Sequence, residues 1–207
     1  MKKIRLFLVL AMFAVATAVS SQVSLGVKGG VNMSNFYGDE LDNENVKIGF
    51  NVGLLADYEF SYNSAIQTGL FFTTKGAKYD SSFGEATGEI SSNPMYLQLP
   101  IHYAYKLDVT PGSRIVFHAG PYAAYGVGGK WKASGSLGNW DGAIDGDLFG
   151  DNAPLKRFDA GLGLGVGAEF GPILVDLGWD MGLVNISNAD NGNIKNQNAY
   201  LSVGYKF

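Results

Sequence analysis

The most constraining feature of this sequence is a strict two-residue alternation of apolar side chains. In Phe158–Phe170 every second residue is apolar, and the residues between them are Asp159, four glycines and Glu169. A β-strand places alternate side chains on opposite faces of a sheet, whereas a helix needs a period of 3.6 residues. The pattern therefore predicts a strand with one apolar face and one face of small or charged residues.

Other segments repeat this alternation and predict an all-β fold. In Val46–Tyr58, for example, Val46, Ile48 and Phe50 alternate with Lys47 and small residues. Each segment has about ten residues or more, the length that a tilted strand needs to cross a bilayer. The eight predicted strands are Ser24–Asn35, Val46–Tyr58, Ser64–Lys75, Met95–Leu107, Ile115–Lys130, Phe158–Phe170, Ile173–Leu183 and Asn198–Phe207.

The connections between the predicted strands alternate in length. The short ones are Glu59–Asn63, Asp108–Arg114 and Gly171-Pro172, and the long ones are Phe36–Asn45, Gly76–Pro94, Trp131–Lys156 and Val184–Gln197. Short turns at one end and long loops at the other are typical of outer-membrane barrels. We therefore expect an eight-stranded antiparallel up-and-down transmembrane β-barrel, with its short turns and both termini in the periplasm.

The polar face of the predicted strands indicates what lies inside the barrel. Many of its residues are glycines, which suit the narrow lumen of an eight-stranded barrel better than a solvated surface. The alternative is a soluble, lipocalin-like barrel with an apolar pocket. Because buried charges must be paired, we expect a filled polar lumen with a salt-bridge network. Its predicted members are Lys28, Lys47, Lys75, Lys106, Lys206, Asp57, Asp159, Glu169, Asp176 and Asp180.

The first residues predict an export signal rather than part of the barrel. Three basic residues among the first five precede the apolar run Leu6–Val19, and small residues follow it. This is the layout of a cleaved secretory signal, and the run is short for the alternative of an uncleaved anchor. We assign residues 1–22 to a signal peptide and residues 23–207 to one barrel domain.

The two histidines of the chain fall on the lumen face of one predicted hairpin. His102 and His118 flank its turn, so the register places them opposite or diagonal to each other. Two imidazoles can begin a metal site, but a third ligand is usual and none is evident. We therefore expect a hydrogen-bonded pair, with its titration near neutral pH as a secondary hypothesis, and we predict no metal or cofactor.

Two other patterns resemble binding motifs without their usual context. Alternate glycines continue a strand, whereas a dinucleotide motif needs a tight turn and then a helix. The acidic predicted loop lacks the spacing of a calcium-binding EF-hand, so we expect a solvated loop whose aromatic residues are candidates for an external binding patch. No Ser–His–acid arrangement is evident, and no catalytic residue is predicted. The residues concerned are Gly161, Gly163, Gly165 and Gly167, then Asp141, Asp145, Asp147 and Asp151 with Trp140 and Phe149.

The end of the chain and several short motifs resemble known outer-membrane proteins. The last strand alternates up to Tyr205 and Phe207, which resembles the C-terminal signal read by the barrel-insertion machinery. Other motifs resemble the PorT-type outer-membrane β-barrel domain family, although Gln98 stands where that family usually has an acid. The resemblance implies a small membrane barrel and no particular activity, and one branch of the family is tied to protein secretion across the outer membrane. The motifs are Gly26–Asn32, Tyr96–Ile101, Ala119–Tyr122 and Phe158–Gly161.

The sequence leaves three hypotheses about function. The first is a non-enzymatic outer-membrane protein that acts through its external loops or as a structural component of the envelope. The second is an accessory component of an outer-membrane secretion or transport system, and the third is a lipid-modifying enzyme. Expected partners are outer-membrane lipid, the barrel-insertion machinery and, under the first two hypotheses, an external or secretion-system protein. The net charge of −4 argues against a nucleic-acid partner.

Overall fold

The structure is a computed structural model that describes residues 22–38, 45–83, 86–137, 140–150, 153–189 and 192–207. Within these ranges, residues 80–83, 86–87, 136–137 and 140–141 are described by their backbone alone. The predicted signal peptide lies outside the described residues, apart from its last position. No helix in the described part of the chain is long and apolar enough to cross a membrane.

The described residues form ten antiparallel strands in one sheet. Their bounds are β1 Val23–Gly38, β2 Asn45–Ser61, β3 Ser64–Thr74, β4 Ala77–Phe83, β5 Ala86–Thr110, β6 Ser113–Leu137, β7 Trp140–Asp147, β8 Phe158–Phe170, β9 Ile173–Gly182 and β10 Ile194–Lys206. Eight of them close a ring in the order β1, β2, β3, β5, β6, β8, β9 and β10, because β10 pairs with β1. The predicted eight-stranded barrel is confirmed.

Short turns join β2 to β3, β5 to β6 and β8 to β9, and we call this end of the barrel the turn end. The opposite end, here the loop end, carries the long connections. Glycines with positive φ serve two of the tight turns, at Gly112 (φ 79°) and Gly171 (φ 57°), where a side chain would be strained.

Two predicted long loops are wrong in part, because they contain strands. Segment Gly76–Pro94 includes β4 and the start of β5, and segment Trp131–Lys156 includes the end of β6 and all of β7. Strands β4, β5, β6 and β7 pair side by side beyond the ring. We call this four-stranded part of the sheet the extension. Glycine, serine and aspartate interrupt the apolar alternation there, so the sequence pattern was too weak to reveal it.

The facing of the side chains follows the predicted alternation. In β8, Leu162 and Leu164 are each 54% exposed, whereas Asp159 is fully buried and Glu169 is 5% exposed. The apolar face therefore lies outside and the polar face fills the lumen, as expected for a barrel that meets lipid. In the lipocalin-like alternative, the apolar face would point into the barrel and the polar face outwards.

Candidate functional site

The lumen is filled by layers of side chains, and the layer at the turn end is ionic. Lys106 Nζ lies 2.7 Å from Asp57 Oδ2 and 2.6 Å from Glu59 Oε1, and the side chains of Lys106 and Asp57 are fully buried. Lys206 forms ion pairs with both Asp57 and Glu169. Alternating charges compensate one another, which buried charges require. We call this group the ionic layer; its members are Asp57, Glu59, Lys106, Arg114, Glu169 and Lys206.

Sequence reasoning missed two members of the ionic layer. Arg114 Nη2 lies 3.0 Å from Glu59 Oε1 and 3.1 Å from Glu169 Oε2. The alternation predicts turns at both Glu59 and Arg114, but β2 continues to Ser61 and β6 begins at Ser113. Continuing the alternation from Asp57 by one more step would have placed Glu59 on the lumen face.

The middle of the lumen holds the two histidines. Their Nδ1 atoms are 3.0 Å apart, and the pair is diagonal because His118 lies opposite Ala104. His118 Nε2 lies 2.8 Å from Asp176 Oδ1, and Asp176 Oδ2 lies 2.7 Å from Lys28 Nζ. We call Lys28, His102, His118 and Asp176 the histidine layer; it links one lysine, one acid and both imidazoles in a continuous chain of contacts.

A third charged layer lies towards the loop end. Lys75 Nζ lies 3.2 Å from Asp159 Oδ2, with both side chains fully buried. Asn196 Nδ2 donates to the same carboxylate oxygen at 2.9 Å. The ammonium group of Lys75 also lies 4.6 Å from the ring centre of Tyr122, a cation–π contact. The Lys75–Asp159 pair is therefore closed in by polar and aromatic partners.

An apolar cluster closes the loop end above this pair. Leu148, Phe149 and Leu155 follow β7 in sequence and fold into the mouth of the barrel. The ring of Phe149 packs edge-on against Tyr96 with ring centres 5.6 Å apart. We call the cluster the plug; its buried members are Phe36, Ala77, Tyr96, Tyr122, Ala124, Leu148, Phe149, Leu155 and Ile186.

Two of the ten predicted network residues have no ionic partner among the described side chains. Lys47 Nζ instead donates to Ser91 Oγ and to the backbone oxygen of Ser92, both at 2.9 Å. Asp180 Oδ2 accepts a hydrogen bond of 2.8 Å from Gln98 Nε2. The other eight are distributed over the three charged layers.

The acidic predicted loop is divided between the plug and the extension. The prediction of an external patch is wrong for Phe149, which is 6% exposed within the plug. Asp145 is an exposed partner of Lys130 at 3.1 Å, and Asp147 is also exposed. Asp151 and the side chains of Trp140 and Asp141 lie outside what the structure describes. Among the described residues, no group of three or more His, Cys, Asp or Glu side chains could hold a metal ion.

The outward face of the extension carries most of its charge. Lys78, Ser91, Lys132 and Asp145 are register partners in a row across its four strands. The hydrogen bond to Asp145 raises the pKa of Lys130 above its ordinary value. A depression of about 540 Å³ lies beside this row. It is lined by Lys47, Ser91, Asn93, Met95, Gly129, Lys130, Lys132 and Asp147.

The last strand places its terminal aromatic residues on the outside of the barrel. Tyr205 and Phe207 are 49% and 78% exposed, and their ring centres lie 5.8 Å apart. The backbone nitrogen of Phe207 donates to Leu25 O at 2.8 Å. Their role as an assembly signal stays a prediction, since it concerns the chain before it folds.

With this arrangement established, comparison with known families identifies the chain. The family model described as "outer membrane protein beta-barrel domain" matches residues 16–188, which is most of the sequence. The chain belongs to this family. As a member of the outer-membrane β-barrel domain family, it is an integral protein of the outer membrane. No curated protein is significantly similar to it.

Several solved outer-membrane barrels are similar to the chain at low sequence identity. Ail, the attachment invasion locus protein of Yersinia pestis, solved in complex with the heparin analogue sucrose octasulfate, is 16% identical; the match covers 90% of this chain and 99% of that one, with a TM-score of 0.43. OprG from Pseudomonas aeruginosa is 15% identical over 89% and 95% of the two chains, with a TM-score of 0.48. Neisserial surface protein A is 15% identical over 89% and 99%, with a TM-score of 0.42.

Proposed function

We propose that this outer-membrane barrel has no enzymatic activity and acts at the cell surface through its extension. The turn end and both termini face the periplasm in this proposal, and residues 1–22 are the cleaved signal that exports the chain. We further propose that it is a PorT-type member of its family, on the basis of motifs such as Tyr96–Ile101. The barrel then serves as an anchor, and recognition takes place outside it.

The observation that carries the proposal is that the lumen is blocked at both ends. The ionic layer occupies the turn end and the plug occupies the loop end. An eight-stranded barrel has an interior that side chains fill, which leaves no path for a solute. A role in passive transport is therefore disfavoured, and the part of the sheet that is free to meet a partner is the extension.

The extension has the features of a recognition surface. It continues the paired strands of a rigid barrel, which holds its side chains in place better than an irregular loop would. Its outward face presents Lys78, Lys130 and Lys132 together with acidic residues, and the depression beside them is open to the exterior. A partner with charges of both signs would complement such a surface.

Single cysteine variants test the orientation, because the chain contains no cysteine. Ser134 is exposed on the extension, and Thr110 is exposed at the turn end. In intact cells, a membrane-impermeant maleimide should label Ser134→Cys and leave Thr110→Cys unlabelled until the outer membrane is opened. The opposite pattern would overturn the proposed orientation.

A trimmed barrel tests the role of the extension. Replacing residues 79–90 and 132–145 each by a two-glycine turn removes most of it and keeps the plug. The trimmed chain should still fold, as judged by heat-modifiable gel mobility, and should lose the partners that cross-link to the full chain on intact cells. Retention of a stoichiometric partner by the trimmed barrel would instead favour the secretion-component hypothesis.

Two further measurements test whether the barrel conducts solutes and whether it modifies lipid. Planar bilayers containing the full chain should show no sizeable single-channel conductance, and a large conductance would contradict the blocked lumen. Deleting the gene should leave the lipid composition of the outer membrane unchanged. A specific change in acyl chains or head groups would restore the lipid-modifying enzyme as an explanation.

A further inference from the structure

A small cavity lies in the lumen between the histidine layer and Asp180. Its volume is about 50 Å³, and its lining includes Gln98, His102, Asp180 and Asn198. A single water needs roughly 10–15 Å³ measured in this way. The cavity therefore has room for a few waters, or for one ion that keeps part of its hydration shell.

Four buried polar atoms in this lining have no hydrogen-bond partner in the protein. They are Gln98 Oε1, His102 Nε2, Asp180 Oδ1 and Asn198 Oδ1. The four residues are at most 8% exposed. A buried polar atom without a partner is costly, so four of them around one cavity require an explanation.

When both imidazoles are neutral, the chain of contacts through the histidine layer assigns the proton on His102. A carboxylate can only accept, so His118 Nε2–H donates to Asp176 Oδ1, and His118 Nδ1 is then an acceptor in the neutral ring. His102 Nδ1–H therefore donates to His118 Nδ1. The remaining nitrogen of a neutral His102, Nε2, presents a lone pair to the cavity.

The same reasoning fixes the amide of Gln98. Its nitrogen must face Asp180, because the carboxylate oxygen Oδ2 at 2.8 Å needs a donor, and its oxygen Oε1 is then left for the cavity. Asn198, the register partner of Asp180 on β10, adds its own unpartnered oxygen, Oδ1. The unpartnered atoms of this cluster are thus three oxygens and one imidazole lone pair, all of which accept.

Asp180 also brings to this cluster a carboxyl group that forms no ion pair with the described side chains. The two lysines nearest in the adjoining layers are engaged elsewhere, Lys28 with Asp176 and Lys75 with Asp159. Gly163 leaves open the space in front of Asp180, since a Cβ there would lie 2.6 Å from Asp180 Oδ1 and 2.8 Å from His102 Nε2. The carboxylate and the imidazole therefore border the same small space, which only a glycine keeps free.

We propose that Asp180, His102, Gln98 and Asn198 form a binding site for a partly hydrated divalent cation. Each water can donate only two hydrogen bonds, so at least two waters would be needed for the four acceptors. One cation contacts several acceptors at once and also balances the carboxylate of Asp180. One imidazole nitrogen with carboxylate and amide oxygens, and no thiolate, suits first-row ions such as Mn²⁺ or Zn²⁺. The contact from His102 through His118 to Asp176 orients the imidazole, as the outer partners of a metal-bound histidine do.

Metal titration of the full-length mature chain, refolded into detergent micelles, tests the site. Mn²⁺ or Zn²⁺ is added either before refolding or afterwards, because the cavity lies inside the lumen, and each ion is tested alone after treatment with a chelator. One ion should be retained per chain, measured by equilibrium dialysis for Zn²⁺ and by electron paramagnetic resonance for Mn²⁺. Retention should also raise the urea midpoint, since the ion binds only the folded barrel.

Two variants and one control make the result specific. Asp180→Asn and His102→Gln should each weaken retention at least about tenfold, while both keep the size of the side chain. Glu169→Gln, which changes a buried carboxylate of the ionic layer, should leave retention unchanged. Absence of a retained ion under both loading conditions, or equal retention by Asp180→Asn and the unchanged chain, would overturn the proposal and leave a cavity that holds water only.

Discussion

At the turn end of the lumen, the ionic layer consists of residues that stand on barrel strands; at the loop end, three plug residues come from the segment that follows β7. The register of the strands fixes the ionic layer, so it forms whenever the ring closes. The plug requires the segment carrying Leu148 and Phe149 to fold back into the mouth. One barrel is thus closed at one end by residues of its own strands and at the other by a segment that folds back into the mouth.

The largest expected effect comes from breaking the ionic layer. Lys106→Met leaves Asp57, Glu59 and Glu169 with one fewer cation in a buried setting, which should cost about 4 kcal/mol of unfolding free energy. Urea denaturation of the folded barrel, followed by tryptophan fluorescence, measures the loss. Lys132→Met, at an exposed lysine of the extension, is the control and should have little effect. Equal midpoints for the two variants would mean that the ionic layer adds nothing to stability.

The second-largest effect tests whether the plug unfolds separately from the ring of strands. Phe149→Ala removes a buried ring and should weaken the plug by about 2 kcal/mol. The amides of Leu148 and Leu155, which bond to Gly129 O and Leu148 O, should then exchange with solvent roughly 30-fold faster. Amides of β8 and β9 should keep their rates, and so should all amides in the control Ile144→Ala, whose side chain is exposed. A uniform acceleration across the barrel would show instead that plug and ring unfold as one unit.

A smaller loss of stability should follow from crowding the plug. A Cβ on Gly126 would lie 2.5 Å from Cζ of Phe149, so Gly126→Ala should shift the ring and cost about 1 kcal/mol. Gly128→Ala is a close control, because nothing lies within 4 Å of its Cβ position. The difference between the two urea midpoints measures how firmly the ring is held. If the midpoints agree, Phe149 moves aside without cost.

The smallest effect is expected on the outward face of the extension. Lys130 and Asp145 form an exposed pair, and exposed pairs contribute little to stability. Lys130→Gln should leave the urea midpoint unchanged at low salt and at high salt. A salt-dependent fall in the midpoint would show that the charges of the extension help to hold the barrel together.

Much of the barrel follows from the sequence because lipid outside and a narrow lumen inside force a strict alternation. In β8, the pattern of Leu162, Leu164 and their intervening glycines predicts the facing of each side chain. The positions of Asp57, Asp159 and Asp176 in the lumen follow from the same rule. Side-chain pairing across strands could not be predicted from the sequence. The contacts of Lys47 with Ser91 and of Asp180 with Gln98 depend on the register of the strands and on the position of each residue along the barrel axis.

The loop end was less predictable for a different reason. Beyond the bilayer, strands have no lipid-facing side, so the alternation that marks β8 fades in β4 and β7. The plug depends on contacts between residues distant in sequence, such as Phe149 with Tyr96. An aromatic residue in a polar segment reads equally well as a surface patch or as a buried ring, and only the fold decides between them.

The extension also depends on one irregularity in the pairing of β5 with β6. Tyr96 pairs with Gly126 and Met95 with Gly128, so Val127 is an extra residue that has no partner on β5. This bulge sets the facing of everything beyond it, with Trp131 turned towards the plug and Lys132 turned outwards. Deleting Val127 would leave every remaining pair in register, whereas inserting a residue elsewhere in β6 would shift that register. Among relatives of this chain, changes of length in β6 should therefore accumulate at this one position.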